Sequence, residues 1–286
     1  MFKQRLITAL ILAPLALCAV FYLPPVGFAL FLGAAFVIAA WEWAAFCGWS
    51  SLVHKSSFAF GSALWYLICY QALPLNLYWP VQSNGAAQAL LWTGIGWWLL
   101  AVLLVLSFSR SKNVWQHNKL LKALMGWLTL VPSFAALWLL RHVNYEQSTF
   151  TGAWLIFALL GLVWAADVGG YVVGKPFGKR KLMPDVSPGK TLEGMLGGLT
   201  FVMLFVTAVA ATMQWPEGVL YWYLAALLLT LLSVFGDLSE SMFKRVAGLK
   251  DSGSIFPGHG GILDRIDSLT ATAPLFALFV ALLGRF

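Results

Sequence analysis

Charge is what this sequence has least of. Only 10% of its 286 residues are Asp, Glu, Lys or Arg, against about 25% in an ordinary soluble domain. Meanwhile 60% are hydrophobic and the mean hydropathy is +0.81. The chain is long enough for a sizeable core but lacks the polar surface to cover one in water. A soluble domain is excluded, and the sequence reads as membrane protein throughout. Cysteine is scarce as well: Cys18, Cys47 and Cys69 lie in or beside apolar runs without metal-ligand spacing, which makes them packing residues. No internal repeat is visible, so an inverted-repeat transporter lacks its usual sequence support. No DNA- or RNA-binding motif accompanies the net charge of +7, so nucleic acid is not an expected partner.

What the chain has in abundance is apolar runs. A membrane-spanning helix needs about 20 mainly apolar residues, and nine stretches qualify, near 6–23, 26–46, 57–74, 87–109, 120–141, 152–174, 194–213, 218–238 and 268–284. The third is the weakest, because Pro74 and the NLYWP stretch shorten it. The first is longer than a signal-peptide core and is followed at once by further spans, so we expect it to be retained. The fold class is therefore all-α, polytopic, with about nine transmembrane helices. With the N-terminus inside, sixteen of the 18 basic residues face the cytoplasm and only Arg141 and Arg285 face outward. That asymmetry predicts a cytoplasmic N-terminus and an outer C-terminus. Trp41, Trp43, Trp49, Tyr78, Trp79, Trp215, Tyr221, Trp222 and Tyr223 cluster near span ends, as interface anchors do.

The acids divide the chain. Glu42 and Glu146 are the only two before residue 167, and the other nine lie between Asp167 and Asp267. We expect one integral-membrane domain over 1–286, with scaffold helices in 1–150 and a catalytic half in 151–286 that carries cytoplasmic loops at 175–193 and 240–267. Glu42 reads as a structural hydrogen-bonding residue.

Both acid-rich segments follow an outside-to-inside helix and so share one membrane face. Asp237 ends a strongly apolar helix, where a carboxylate is costly unless it is paired, hydrated or metal-bound. Ser241 and Lys244 share its face if the helix continues. Asp264 and Asp267 are three apart at the entry to the last span, where a helix N-terminus favours negative charge. Such carboxylate-bearing helix ends suit Mg²⁺, which takes one or two carboxylates plus substrate phosphate oxygens; helix capping with Arg265 as partner is the alternative. Lys244, Arg245, Lys250 and Arg265 offer cations to phosphate. Gly253, Gly258, Gly260 and Gly261 let backbone amides approach an anion, and His259 among them suits phosphate hydrogen bonding. Upstream, Ser187, Lys190 and Thr191 precede a helix starting near Glu193, an anion site in prospect although the P-loop spacing is absent. The 178–181 GKRK run suits lipid head groups or substrate.

The 241–267 segment resembles the signature of the phosphatidate cytidylyltransferases, or CDP-diacylglycerol synthases. Ser241, Phe243, Lys244, Arg245, Lys250, Asp251, Gly253, Phe256, Pro257, His259, Gly260, Gly261, Ile262, Asp264, Arg265, Ile266 and Asp267 all fit it. The likeness extends to Asp167 and to the 187–194 segment, where Gly189 stands in place of a lysine that many relatives carry. The resemblance implies the reaction CTP + phosphatidate → CDP-diacylglycerol + pyrophosphate, with Mg²⁺ and a second cation for which K⁺ is a candidate. It also implies membrane lipids as surroundings, the bacterial cytoplasmic (inner) membrane as location, a site facing the cytoplasm, and room for a homodimer. On this reading Asp237, Asp264 and Asp267 bind metal. Lys244, Arg245, Lys250, His259 and Arg265 act on phosphates, and Asp251 orients Lys250 or Arg265. Ser187, Lys190, Thr191, Ser241, Gly260 and Gly261 contact substrate, while Asp167 supports the site. Two rivals remain: a CTP-dependent enzyme acting on another lipid phosphate or a polyprenol, and an ion-coupled transporter using Asp167 and Asp237.

Overall fold

The computed structural model describes residues 2–73, 84–213, 219–256 and 260–283. Ten helices run in order: α1 (Phe2–Tyr22), α2 (Pro25–Phe46), α3 (Leu52–Ala72), α4 (Gly85–Leu106), α5 (Phe108–Trp115), α6 (Lys119–Arg141), α7 (Thr151–Phe177), α8 (Leu192–Met213), α9 (Val219–Ala247) and α10 (Leu263–Leu283). Between α7 and α8 lies an antiparallel hairpin, β1 (Lys181–Met183) and β2 (Ser187–Thr191).

Local sequence sets several helix starts. Pro25 occupies the first turn of α2, where a missing N–H costs nothing. Ser51, Asn84 and Asn118 cap α3, α4 and α6 by accepting from His54 N, Ala87 N and Leu121 N. Capping by Ser51 starts α3 before the apolar run expected from 57 onward.

Among the described residues seven helices are long and apolar enough to cross a membrane: α2, α4, α6, α7, α8, α9 and α10. Leu10–Tyr22 of α1 is apolar but shorter, and α3 carries His54, Lys55 and several serines. The fold is that of a polytopic helical membrane protein. Its outer surface carries Leu30, Phe60, Leu99, Leu103, Leu204 and Leu228 exposed, which hydrocarbon tolerates and water does not. Pro74, Tyr78, Trp79 and Trp215 lie outside the described residues.

Helix α6 is the buried centre, packed by α2, α3, α4, α7 and α10. Trp43 of α2 donates to Lys122 O at 2.9 Å and packs edge-on to Phe46 and tilted against Phe243. Ser133 donates to Thr270 O of α10 at 2.6 Å. These contacts join α2 and α6 to α9 and α10, so the two halves of the chain share one core.

Two close approaches aim the site. Helices α7 and α8 meet through glycine: a Cβ on Gly169 would lie 2.5 Å from Gly197 O, and one on Gly198 2.7 Å from Ala166 O. Small residues on both faces let the backbones touch, as in packed membrane helices. Gly174 and Gly178 likewise approach Thr191, which lays the hairpin along the end of α7 beside the cavity that Asp167 lines. Helices α9 and α10 meet at Gly236, whose Cβ would lie 2.9 Å from Asp267 O, and Ser268 donates to Ser233 O at 3.0 Å. Asp237 and Asp267 are therefore brought to one helical seam.

Candidate active site

Helix α9 continues nine residues beyond the apolar run, to Ala247. Ser241 and Lys244 consequently lie on the face of Asp237, and Ser241 Oγ donates to Asp237 Oδ1 at 3.3 Å. The helix then closes at Gly248 (φ 69°), where Gly248 N and Leu249 N return to Arg245 O and Lys244 O. Helix α10 begins at Leu263, so Asp264 occupies its first turn.

The carboxylates sort into two groups. In the first, Lys190 of β2 reaches Asp237 Oδ2 at 2.6 Å and Val234 O at 3.2 Å. Asp167, Asp237 and Asp267 lie within electrostatic reach of one another with Lys190 as their shared cation, and Arg265 acts on Asp167. Asp267 Oδ1 accepts from Ser268 N at 2.8 Å.

In the second group, Lys244 Nζ bridges Glu240 Oε2 at 3.1 Å and Asp264 Oδ1 at 2.8 Å. Asp264 Oδ2 accepts from Ser252 N and Ser252 Oγ, both at 2.9 Å, and from Gly261 N at 2.8 Å. Asp264 thus organises the 248–262 loop. Gly260 has φ 81° and pairs with Phe256, whose N–H donates to Gly260 O at 3.0 Å.

The remaining expected residues occupy different places. Arg245 Nε donates to Val186 O at 3.0 Å and pins α9 to the hairpin turn. Thr191 is buried, and its hydroxyl accepts from Gly194 N at 3.1 Å as the cap of α8. Ser187 sits in β2 opposite Met183. Lys250, Asp251 and Arg265 are exposed. His259, with Pro257 and Gly258, lies outside the described residues.

Two cavities share Asp167 in their walls. One, about 480 Å³, is lined by Asp167, Tyr171, Lys175, Lys190, Thr191 and Asp237 together with glycines of α7 and α8. The other, about 500 Å³, has Asp167, Asp264, Arg265 and Asp267 at one end; the rest includes Leu12, Val20, Phe28, Leu32 and Ile156. Lys175, which donates to Tyr171 Oη at 2.8 Å, was not among the expected site residues. Its position one helical turn past Tyr171 and two past Asp167 was the available signal.

Among the described residues no three carboxylate, imidazole or thiol groups form a ready-made metal cage. That donor set still fits Mg²⁺, which is commonly held by one or two carboxylates with substrate phosphates and water completing the shell. Asp237 and Asp267 each retain acceptor capacity beyond the bonds described. Asp264 has both oxygens engaged and would have to loosen its bond to Lys244 to join them.

Fold and site together define a class: a polytopic helical membrane protein with a charged site where an anion-ready cavity abuts an apolar one. The sequence comparisons narrow it. A sequence model described as the cytidylyltransferase family matches residues 3–283, and the chain belongs to that family. It is 39% identical over 285 residues to the phosphatidate cytidylyltransferase of Haemophilus influenzae, covering 98% of both chains. To the phosphatidate cytidylyltransferase of Pseudomonas aeruginosa it is 42% identical over 278 residues, 97% of this chain and 96% of that one. To that of Bacillus subtilis it is 37% identical over 185 residues, 64% of this chain and 67% of the relative.

Proposed function

We propose that this protein is a phosphatidate cytidylyltransferase, transferring CMP from CTP to phosphatidate. The observation that carries the reading is that two unlike cavities share Asp167 in their walls. A hydrophilic nucleotide and a lipid must bring phosphates together while the acyl chains stay in hydrocarbon. The cavity with Lys175 and Lys190 suits the triphosphate, and the one running from Arg265 into apolar side chains suits the lipid. Near-full-length similarity to relatives of that name supports the same reading.

A phosphatidate oxygen attacks the α-phosphorus of CTP, the bond from that phosphorus to the oxygen bridging to the β-phosphate breaks, and pyrophosphate departs. The attacking phosphate is already largely ionised at neutral pH, its second pKa being about 6, so no general base is required. What the chain must supply is positioning and charge. Lys175 and Lys190 hold phosphate oxygens, Arg265, Lys250 and His259 neutralise the departing charge, and Lys244 fixes Asp264 and with it the loop. Arg245 secures the hairpin that presents Lys190. Gly260 and Gly261 shape the loop, Thr191 and Ser187 hold the hairpin edge, and Asp251 orients Lys250. Mg²⁺ at Asp237 and Asp267, with Asp264 as a third contributor, would supply charge neutralisation between the two polyanions, and a second cation such as K⁺ would add to it.

The same reading includes α1 and α3 as membrane helices, nine in all, with the N-terminus cytoplasmic, the C-terminus outside and the site facing the cytoplasm of a bacterial inner membrane. Asymmetry of Lys and Arg supports that orientation. Purified protein with phosphatidate and Mg²⁺ should release pyrophosphate from CTP. Equal release from CTP when another lipid phosphate replaces phosphatidate would instead favour the broader enzyme class.

A further inference from the structure

Glu42 lies on α2, far in sequence from the charged segments, and is buried at 3% exposure. Its carboxylate is not idle. Oε1 accepts from Ile262 N at 3.1 Å, while Oε2 accepts from Leu263 N at 2.8 Å and from Ser252 Oγ at 3.1 Å. Three donors from both ends of the 248–262 loop thus converge on one side chain. The single Ser252 hydroxyl proton is shared between Glu42 Oε2 at 3.1 Å and Asp264 Oδ2 at 2.9 Å, so the two acids grip the same stretch from opposite sides. Gly253 and Gly261 pack so closely on this carboxylate that a Cβ at either would collide with it. Those two glycines answer to a protein side chain as well as to any ligand.

We infer that Glu42 is a positioning residue for nucleotidyl transfer: it fixes the loop that carries Lys250, Asp251 and Gly260 and the register of Asp264 and Asp267 at the start of α10. The inference rests on the functional reading above. Burying a carboxylate is costly unless donors surround it, and donors from two separated stretches are met together here by one acceptor with two oxygens. The side chain lines neither of the two cavities that meet the charged site, so its effect passes through Ser252, Ile262 and Leu263. A neutral amide at this position keeps one acceptor oxygen and turns an N–H₂ group toward the remaining donors.

The test uses the full-length protein in nanodiscs and compares wild type with Glu42→Gln and Glu42→Asp. Hydrogen exchange should rise about tenfold or more at amides 252–263 in Glu42→Gln, with the buried stretch Leu130–Leu140 of α6 unchanged. In the same preparation kcat should fall about tenfold or more, with the KM for phosphatidate changed less than about threefold, and Glu42→Asp should recover part of the loss. A loop no looser than wild type, exchange rising equally in α6, or a looser loop with wild-type kcat would each overturn the inference. If wild type itself does not turn over CTP with phosphatidate, the functional reading fails and the positioning role fails with it, whereas altered exchange would still report the contact. Should Glu42→Gln not accumulate, Ser252→Ala removes one of the three contacts and carries both readouts.

Discussion

Replacing Asp264 with asparagine separates a loop-holding carboxylate from a purely metal-binding one. Its side chain is 6% exposed, and that of its partner Lys244 14%. The best placement of the new amide keeps oxygen toward Ser252 and Gly261, which leaves Nδ2 facing the Lys244 ammonium. The flipped placement is worse, since three donors then meet an N–H₂ group. Stranding one member of a buried ion pair costs about 3–5 kcal/mol. Because Lys244 keeps Glu240 at 3.1 Å, about 2–4 kcal/mol is the expected loss. With the unfolding entropy of a soluble domain of comparable size, that lowers the midpoint by roughly 5–15 °C. Lys244→Met should be more damaging, since it strands Glu240 and Asp264 together. Asp237→Asn should be the mildest, its ion pair being 35% exposed on the acid side and such pairs contributing about 1 kcal/mol or less. Thermal unfolding of the three purified variants, read by intrinsic fluorescence, checks the order. An Asp264→Asn midpoint within about 2 °C of wild type would refute the loop-holding role, and a milder Lys244→Met would refute the shared-cation geometry.

Other expectations follow from single contacts. Lys190→Met removes the cation shared by Asp167, Asp237 and Asp267 and should lower kcat/KM for CTP about a hundredfold with little change in the unfolding midpoint; Lys190→Arg should recover only part, because Nζ also reaches Val234 O. Gly197→Leu forces a side chain into Val173 and the Gly169 carbonyl and should prevent α7 and α8 from closing, seen as loss of monodisperse protein on gel filtration. Cys47 is fully buried and that burial pushes its thiol up to about 12, so at pH 9 the neutral thiol is the dominant form. Maleimide should leave Cys47 unmodified at that pH until denaturant is added, which mass spectrometry reads directly.

Much of the architecture was readable because lipid imposes a simple code. The apolar runs at 26–46, 120–141 and 152–174 became α2, α6 and α7 nearly residue for residue. Where polar residues extend a helix past its apolar run the code weakens: Ser239, Glu240, Ser241, Lys244 and Arg245 break up 239–247, yet α9 continues there on buried Met242 and Phe243 and sets the spacing of Asp237, Ser241 and Lys244. The hairpin was hidden for a related reason, since Ser187–Thr191 contains Pro188 and Gly189 and has little β-propensity of its own.

Within the site, residue type identified the participants better than their partners. Asp237, Lys190 and Ser241 were singled out from sequence, and they do meet. Asp264 was grouped with Asp267 by their three-residue spacing, yet its oxygens turn to Lys244, Ser252 and Gly261 rather than to Asp237. Thr191 was a substrate contact in prospect; it lines the cavity beside Lys190, and its hydroxyl also caps α8. Glu42 was read as a structural hydrogen-bonding residue, and its donors proved to be the signature loop, over 200 residues away in the chain. Contacts at that separation have no local signature.

The most direct test of the account is nucleotide selectivity in purified protein supplied with phosphatidate and Mg²⁺, measuring pyrophosphate release from CTP, dCTP, ATP and GTP in parallel. Release dependent on phosphatidate and confined to the cytidine nucleotides is the result expected; release from all four alike, or from none, would contradict it.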